Sequence, residues 1–90
     1  MFNVAIHQCH HERREMHDIT WTETSLVGSM LTEYNVASED VMSVIHTFAP
    51  DAKRANGIDY GTYVYRMQRD CGAIVYAGDD YVFIVYDADL

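Results

Sequence analysis

The amino-acid sequence predicts an α+β fold: an N-terminal strand, two amphipathic helices and a three-stranded antiparallel meander. The order is β-α-α-β-β-β, with both helices packed on one face of the sheet. Three observations predict it. Apolar side chains alternate at the start of the chain, recur with a helical period in its middle, and gather in three runs separated by turn residues over its last third. Alternation marks a strand with one buried face, and a period of about 3.6 residues marks a helix with one buried stripe.

Phe2, Val4 and Ile6 alternate with Asn3, Ala5 and His7, which predicts a strand over residues 2–9. Residues 10–21 are polar and show no clean apolar face; His10 to His17 leave room for a short helix. From Thr22 the period changes. Val27, Met30, Leu31 and Tyr34 fall on one helical stripe, with Thr22 or Thr24 as cap, Glu23 in the first turn and Asn35 as the stop. A second helix follows over 38–48. Ser38 is its cap, Glu39 and Asp40 fill its first turn, Val41, Val44, Ile45 and Phe48 form its stripe, and Pro50 ends it. Residues 51–59 are a connection with Asn56-Gly57 as turn residues. Three β-rich runs close the chain: Tyr60 to Gln68, then Ala73 to Ala77 after Asp70-Cys71-Gly72, then Tyr81 to Asp87 after Gly78-Asp79. Residues 81–86 are apolar at every position, the pattern of a central strand covered on both faces. The helix pair covers one face and leaves the cover of the other unassigned.

The chain of 90 residues is read as a single domain, 1–90, with 49% apolar residues and one proline. No apolar run reaches the roughly 20 residues of a membrane span. The first residues lack the basic and apolar regions of a secretion signal, so the expected compartment is the cytoplasm, with Cys9 and Cys71 as reduced thiols. Fourteen acids against six bases give a net charge of −8. Such a chain is repelled by nucleic-acid phosphate and by anionic membrane surfaces, and is attracted to basic proteins. Charge of this kind also keeps a small protein dispersed.

Four groupings of residues bear on chemistry. His7, Cys9, His10 and His11, with Glu12, Glu15 and His17 behind them, are the residue types that bind zinc, but their spacing matches no finger, and no metal is expected. Cys9 beside His10 and His11 holds the ingredients of a thiol nucleophile and base. Sequence neighbours rarely have the required geometry, and the chain carries no phosphate loop, zincin or nucleophile-elbow motif, so no enzyme and no cofactor are expected. The two helices have a helix-turn-helix layout, but the second begins with Glu39 and Asp40 and carries no Lys or Arg, which excludes a DNA reader.

The fourth grouping combines acids and tyrosines. From Glu15 to Ala52 there are seven acids and no Lys or Arg, and from Asp70 to Leu90 five more acids and again no base. Six of the seven tyrosines lie between Tyr60 and Tyr86, so the second acidic block is also aromatic. Carboxylates beside tyrosines suit an Arg- and Lys-rich partner, although single tyrosines also serve as strand formers. The candidate protein-binding residues are Glu39 and Asp40 at the second helix start, and Asp79 and Asp80 at the hairpin tip with Tyr76 and Tyr81 flanking them. The expected function is a small acidic, non-enzymatic inhibitor that covers the basic nucleic-acid-binding surface of a host protein or nucleoprotein complex. In size and charge the chain resembles phage anti-CRISPR and anti-restriction proteins and toxin-immunity proteins, a likeness of type that no motif carries. The second reading is a self-associating assembly module, a homodimer for example, built on the apolar C-terminal sheet.

Overall fold

A computed structural model describes the backbone of residues 1–16 and 20–89, and the side chains of residues 1–9 and 27–89. One antiparallel sheet holds five strands in the order β2-β1-β5-β4-β3. They are β1 (Phe2–Met16), β2 (Thr20–Val36), β3 (Lys53–Ala55), β4 (Ile74–Ala77) and β5 (Tyr81–Asp87). Two helices, α1 (Val41–Phe48) and α2 (Thr62–Asp70), complete an α+β fold whose chain order is β-β-α-β-α-β-β. The class agrees with the expectation and the order does not.

The first difference is at β2, where the sequence predicts a helix over 22–34. Eight of its seventeen residues are β-branched or aromatic: Thr20, Trp21, Thr22, Thr24, Val27, Thr32, Tyr34 and Val36. Its alternation is hidden by two register shifts against β1. Ile6 pairs with Thr32 but His7 with Met30, and Cys9 pairs with Val27, so β2 carries an extra residue at Leu31 and another at Gly28–Ser29. Each extra residue resets the period-two pattern, and the resulting spacing of Val27, Met30, Leu31 and Tyr34 imitates a helical stripe. The first strand likewise continues through the polar residues 10–16 to Met16, where a short helix was considered. Residues 2–8 of β1 also pair with β5, whereas 9–16 pair only with 20–27 among the described residues, as a two-stranded extension of the sheet.

The second helix forms largely as read. A 3-10 turn, Ser38–Asp40, leads into α1, which buries Val41 and Ile45 and stops at Phe48 with the Ala49 N–H donating to the Ile45 carbonyl. Ser38 is not its cap: no side chain caps either the turn or α1. The connection after Pro50 contains the short β3, and the Asn56 carboxamide accepts the Ile58 N–H as a turn residue should.

The run Tyr60 to Gln68, predicted as a strand, is the end of a 3-10 turn (Gly57–Tyr60) followed by α2. Val64 faces inward with Tyr60 and Met67 beside it, a helical spacing, while Tyr63 and Tyr65 face outward. Strand propensity of the tyrosines is a weak prior and packing overrides it. Gly61 separates turn from helix with φ 109°, a left-handed conformation that costs glycine little.

The two helices lie on opposite faces of the sheet, not on one. Phe83 and Val85 of β5 pack with Val4, Ile6, Val41 and Ile45 on the α1 side. Val82 and Ile84 pack with Ala5, Val75 and Val64 on the α2 side. This arrangement explains why β5 is apolar at successive positions: it is central and each face meets its own helix. On the α2 side the 3-10 turn is held close, with the Gly57 N–H donating to Gln68 Oε1 at 2.8 Å and no room for a side chain at Gly57. No helix among the described residues is long and apolar enough to cross a membrane.

Candidate protein-binding surface

Glu39 and Asp40 are exposed in the turn that joins β2 to α1. Beside them, between the start of α1 and the sheet, lies a shallow groove of about 190 Å³ lined by Phe2, Ser38, Val41, Met42, Ile74, Tyr76 and Val85. Its lining is mostly apolar, with Ser38 and Tyr76 as the polar residues, and Glu39 and Asp40 follow Ser38 in the chain. An Arg or Lys side chain fits such a site chemically, since its aliphatic stem covers apolar surface while its charged head stays at the rim.

The sheet brings Tyr76 to Glu39 and Asp40, because Tyr76 and Ser38 line the same groove. Asp79, Asp80 and Tyr81 sit at the other end of β5, at the β4–β5 turn. The six expected residues therefore form two groups, not one. At the second group a side chain on Gly78 would meet the Ala49 methyl and the Asp51 carboxylate, so Asp51 lies beside the same turn. Tyr81 is less an exposed anchor than expected: its ring meets Phe48 edge-on at 5.9 Å and Phe83 at 6.2 Å, and Phe48 in turn meets Tyr34 at 6.1 Å. That ladder ties β2, α1 and β5 together.

Among the residues with described side chains, the bases lie elsewhere. Lys53 and Arg54 are on β3, and Arg66 and Arg69 are on α2. Arg69 pairs with Asp70 at 2.8 Å, which holds the Asp70 carboxyl below its ordinary range. Among the residues with described side chains, the bases thus lie on β3 and α2, while Glu33, Glu39 and Asp40 lie on β2 and at its exit.

Of the histidine and cysteine grouping only His7 and Cys9 have described side chains; those of His10, His11, Glu12 and Glu15, and all of His17, lie outside the described residues. His7 is 7% exposed. Its Nδ1 lies 3.2 Å from the Gly28 carbonyl and therefore carries the proton, while Nε2 is buried without a protein partner and the ring lies 5.9 Å from Tyr63. Burial, and then the Asp80 carboxylate, push the Cys9 thiol above its ordinary pKa, so it is a poor nucleophile. Among the described residues no three His, Cys, Asp or Glu side chains converge as metal ligands.

Sequence reasoning missed two parts of this surface. Phe2, Met42 and Ile74 line the groove, and the sequence analysis singles out none of them as a binding residue. On the α2 side the Tyr86 hydroxyl donates to Glu33, which pushes the phenol pKa up to about 12, and Asn35 donates to Asn3 across β1 and β2 at 3.0 Å. The cross-strand register makes these pairs, and it is not visible before β2 is known to be a strand. Comparisons with protein-family models, with curated proteins and with solved structures found no match for this chain.

Proposed function

We propose that this protein is a small, non-enzymatic binder of a basic protein surface, acting as an inhibitor of a nucleic-acid-handling protein or complex. The observation that carries the reading is the apolar groove with Tyr76 in its wall and the exposed Glu39 and Asp40 at its edge. A groove of this size accommodates one or two side chains, not a substrate with its catalytic groups. The net charge of −8 adds long-range attraction to a basic partner and repulsion from nucleic acid itself. The inhibitory role follows from competition: a protein seated on a basic groove excludes the phosphate backbone that the groove binds. Size and charge of the anti-CRISPR, anti-restriction and toxin-immunity type agree with it.

Affinity capture tests this, with the Glu39→Lys/Asp40→Lys variant as the control. The native protein is expected to retain a nucleic-acid-binding protein that is released by high salt and by added duplex DNA, and the variant is expected to lose it. The same retention by both proteins, or no competition by DNA, removes the reading. The alternative of self-association through the C-terminal strands has little surface to use, because β5 is hydrogen-bonded to β1 and β4 and buried on both faces.

A further inference from the structure

We infer that the free edge of β2 over Thr32–Val36 takes an extended basic strand of the partner protein, added antiparallel or parallel to the sheet. This rests on the reading above that the partner is basic, and it names the mode of recognition.

The sheet ends at β2 on one side and at β3 on the other. Backbone groups on the outer side of a terminal strand are a template for another chain, and natural edges are usually blunted by shortness, by Lys or Pro, or by bulges. The β3 edge is blunted: it has three residues, two of them the exposed Lys53 and Arg54. The β2 edge is not blunted in the same way. It is seventeen residues long and contains no Lys, Arg or Pro. Its two extra residues, near Gly28–Ser29 and at Leu31, interrupt the ladder only up to Leu31. From Thr32, opposite Ile6, to Val36, opposite Phe2, the register is continuous. Among the described residues, that leaves five regular residues with an outer side that no other strand of the sheet occupies.

Side chains around this segment favour contact. Met30 is 54% exposed, Leu31 52% and Tyr34 41%, so three of the large exposed apolar side chains cluster on one strand. Strand addition uses such flanking groups for specificity while the main chain supplies the hydrogen bonds. Charge selects the occupant. Glu33 lies within the segment, held from the side by Tyr86, and the strand runs directly into Glu39 and Asp40. A second copy of this chain brings the same carboxylates and another net charge of −8 to the contact, whereas a basic strand brings their complement. The segment ends near the groove, since Val36 pairs with the groove residue Phe2 and Ser38 follows two positions later.

The test uses the full chain and two synthetic octapeptides of alternating Lys and Val, one ordinary and one N-methylated at alternate backbone nitrogens. Amide hydrogen exchange is followed residue by residue. The ordinary peptide is expected to slow alternate amides within 32–36 about tenfold, and the methylated one to leave at least that segment unchanged although its charge is the same. A Leu31→Lys/Glu33→Lys variant, with an unchanged circular dichroism spectrum, is expected to lose the protection. Equal protection by both peptides means charge alone and overturns the inference. Salt-sensitive binding that protects only the Glu39–Asp40 groove or the Asp79–Asp80 turn overturns the edge and leaves the basic-partner reading standing. Protection of 32–36 that rises with protein concentration and no peptide assigns the edge to a second copy and also overturns it, as does binding of neither peptide.

Discussion

Placement of the two helices on opposite faces has a measurable consequence for the core. Ile45 of α1 and Val64 of α2 are both fully buried, but they share no packing partner: one meets Val4, Ile6, Phe83 and Val85, the other Ala5, Val75, Val82 and Ile84. Ile45→Val deletes one carbon and is expected to cost about 0.5–1.5 kcal/mol. Val64→Ala deletes two, about 1.6 kcal/mol at roughly 0.8 kcal/mol per buried carbon, with the cavity raising it to about 2–2.5 kcal/mol. Together they stay below the roughly 4–14 kcal/mol available to a domain of this length. With the sheet between the two sites, the double variant is expected to lose the sum of the single losses within about 0.5 kcal/mol. Urea unfolding of the four proteins, read at constant m value, gives the cycle. If the helices shared one face, the two positions would belong to one packed layer and couple by up to about 3 kcal/mol. An interaction energy above about 1 kcal/mol would refute the two-sided core.

Other expectations concern single groups. Gly57→Ala places a methyl 2.9 Å from the Val64 carbonyl oxygen and is expected to cost about 1–3 kcal/mol by overpacking. Gly72→Ala meets no atom and loses only about 1 kcal/mol to its φ of 64°; thermal melts showing the reverse order would contradict the tight packing under α2. Tyr86 has a folded-state pKa raised from 10.0 to about 12 by its hydrogen bond to Glu33, so its stabilisation is present below pH 10 and is lost as pH rises toward about 12. Tyr86→Phe is expected to remove that alkaline component from the pH dependence of the urea midpoint, and an unchanged slope would show that the bond is absent. Cys71 is exposed and Cys9 buried, with its thiol pKa raised, so a thiol reagent is expected to modify one cysteine quickly in the native protein and both in urea. Two fast-reacting thiols in the native state would place Cys9 at the surface. Asp79→Lys/Asp80→Lys is expected to weaken capture of the proposed basic partner less than Glu39→Lys/Asp40→Lys, because only the latter pair adjoins the groove; the opposite ranking of retained partner would move the site to the hairpin turn.

Much of the fold was legible wherever local pattern and final environment agree. The β1 alternation, the α1 stripe with its stop before Pro50, and the β4–β5 hairpin around Gly78-Asp79 follow from period and turn chemistry alone. The same pattern shows β5 as a strand needing cover on both faces, before anything is known of what covers it. The acidic, base-free stretch from Glu15 to Ala52 also belongs to the sequence alone, and it is what favours a basic partner. Tertiary structure decided the rest. Two extra residues in β2 break its alternation into a helix-like spacing, and only pairing with β1 reveals the strand. Tyr60, Val64 and Met67 carry a helical spacing beneath a strand-forming composition, and the uncovered face of β5 selects the helix, because a helix there buries Val64 against Val75 and Ile84. The grouping of site residues was decided the same way. Tyr76 shares the groove with Ser38, next to Glu39 and Asp40, although 35 positions separate it from Asp40, and it parts from Asp79 only three positions ahead. Proximity in a sheet is set by register and by the angle of the covering helix, and neither is written in local sequence.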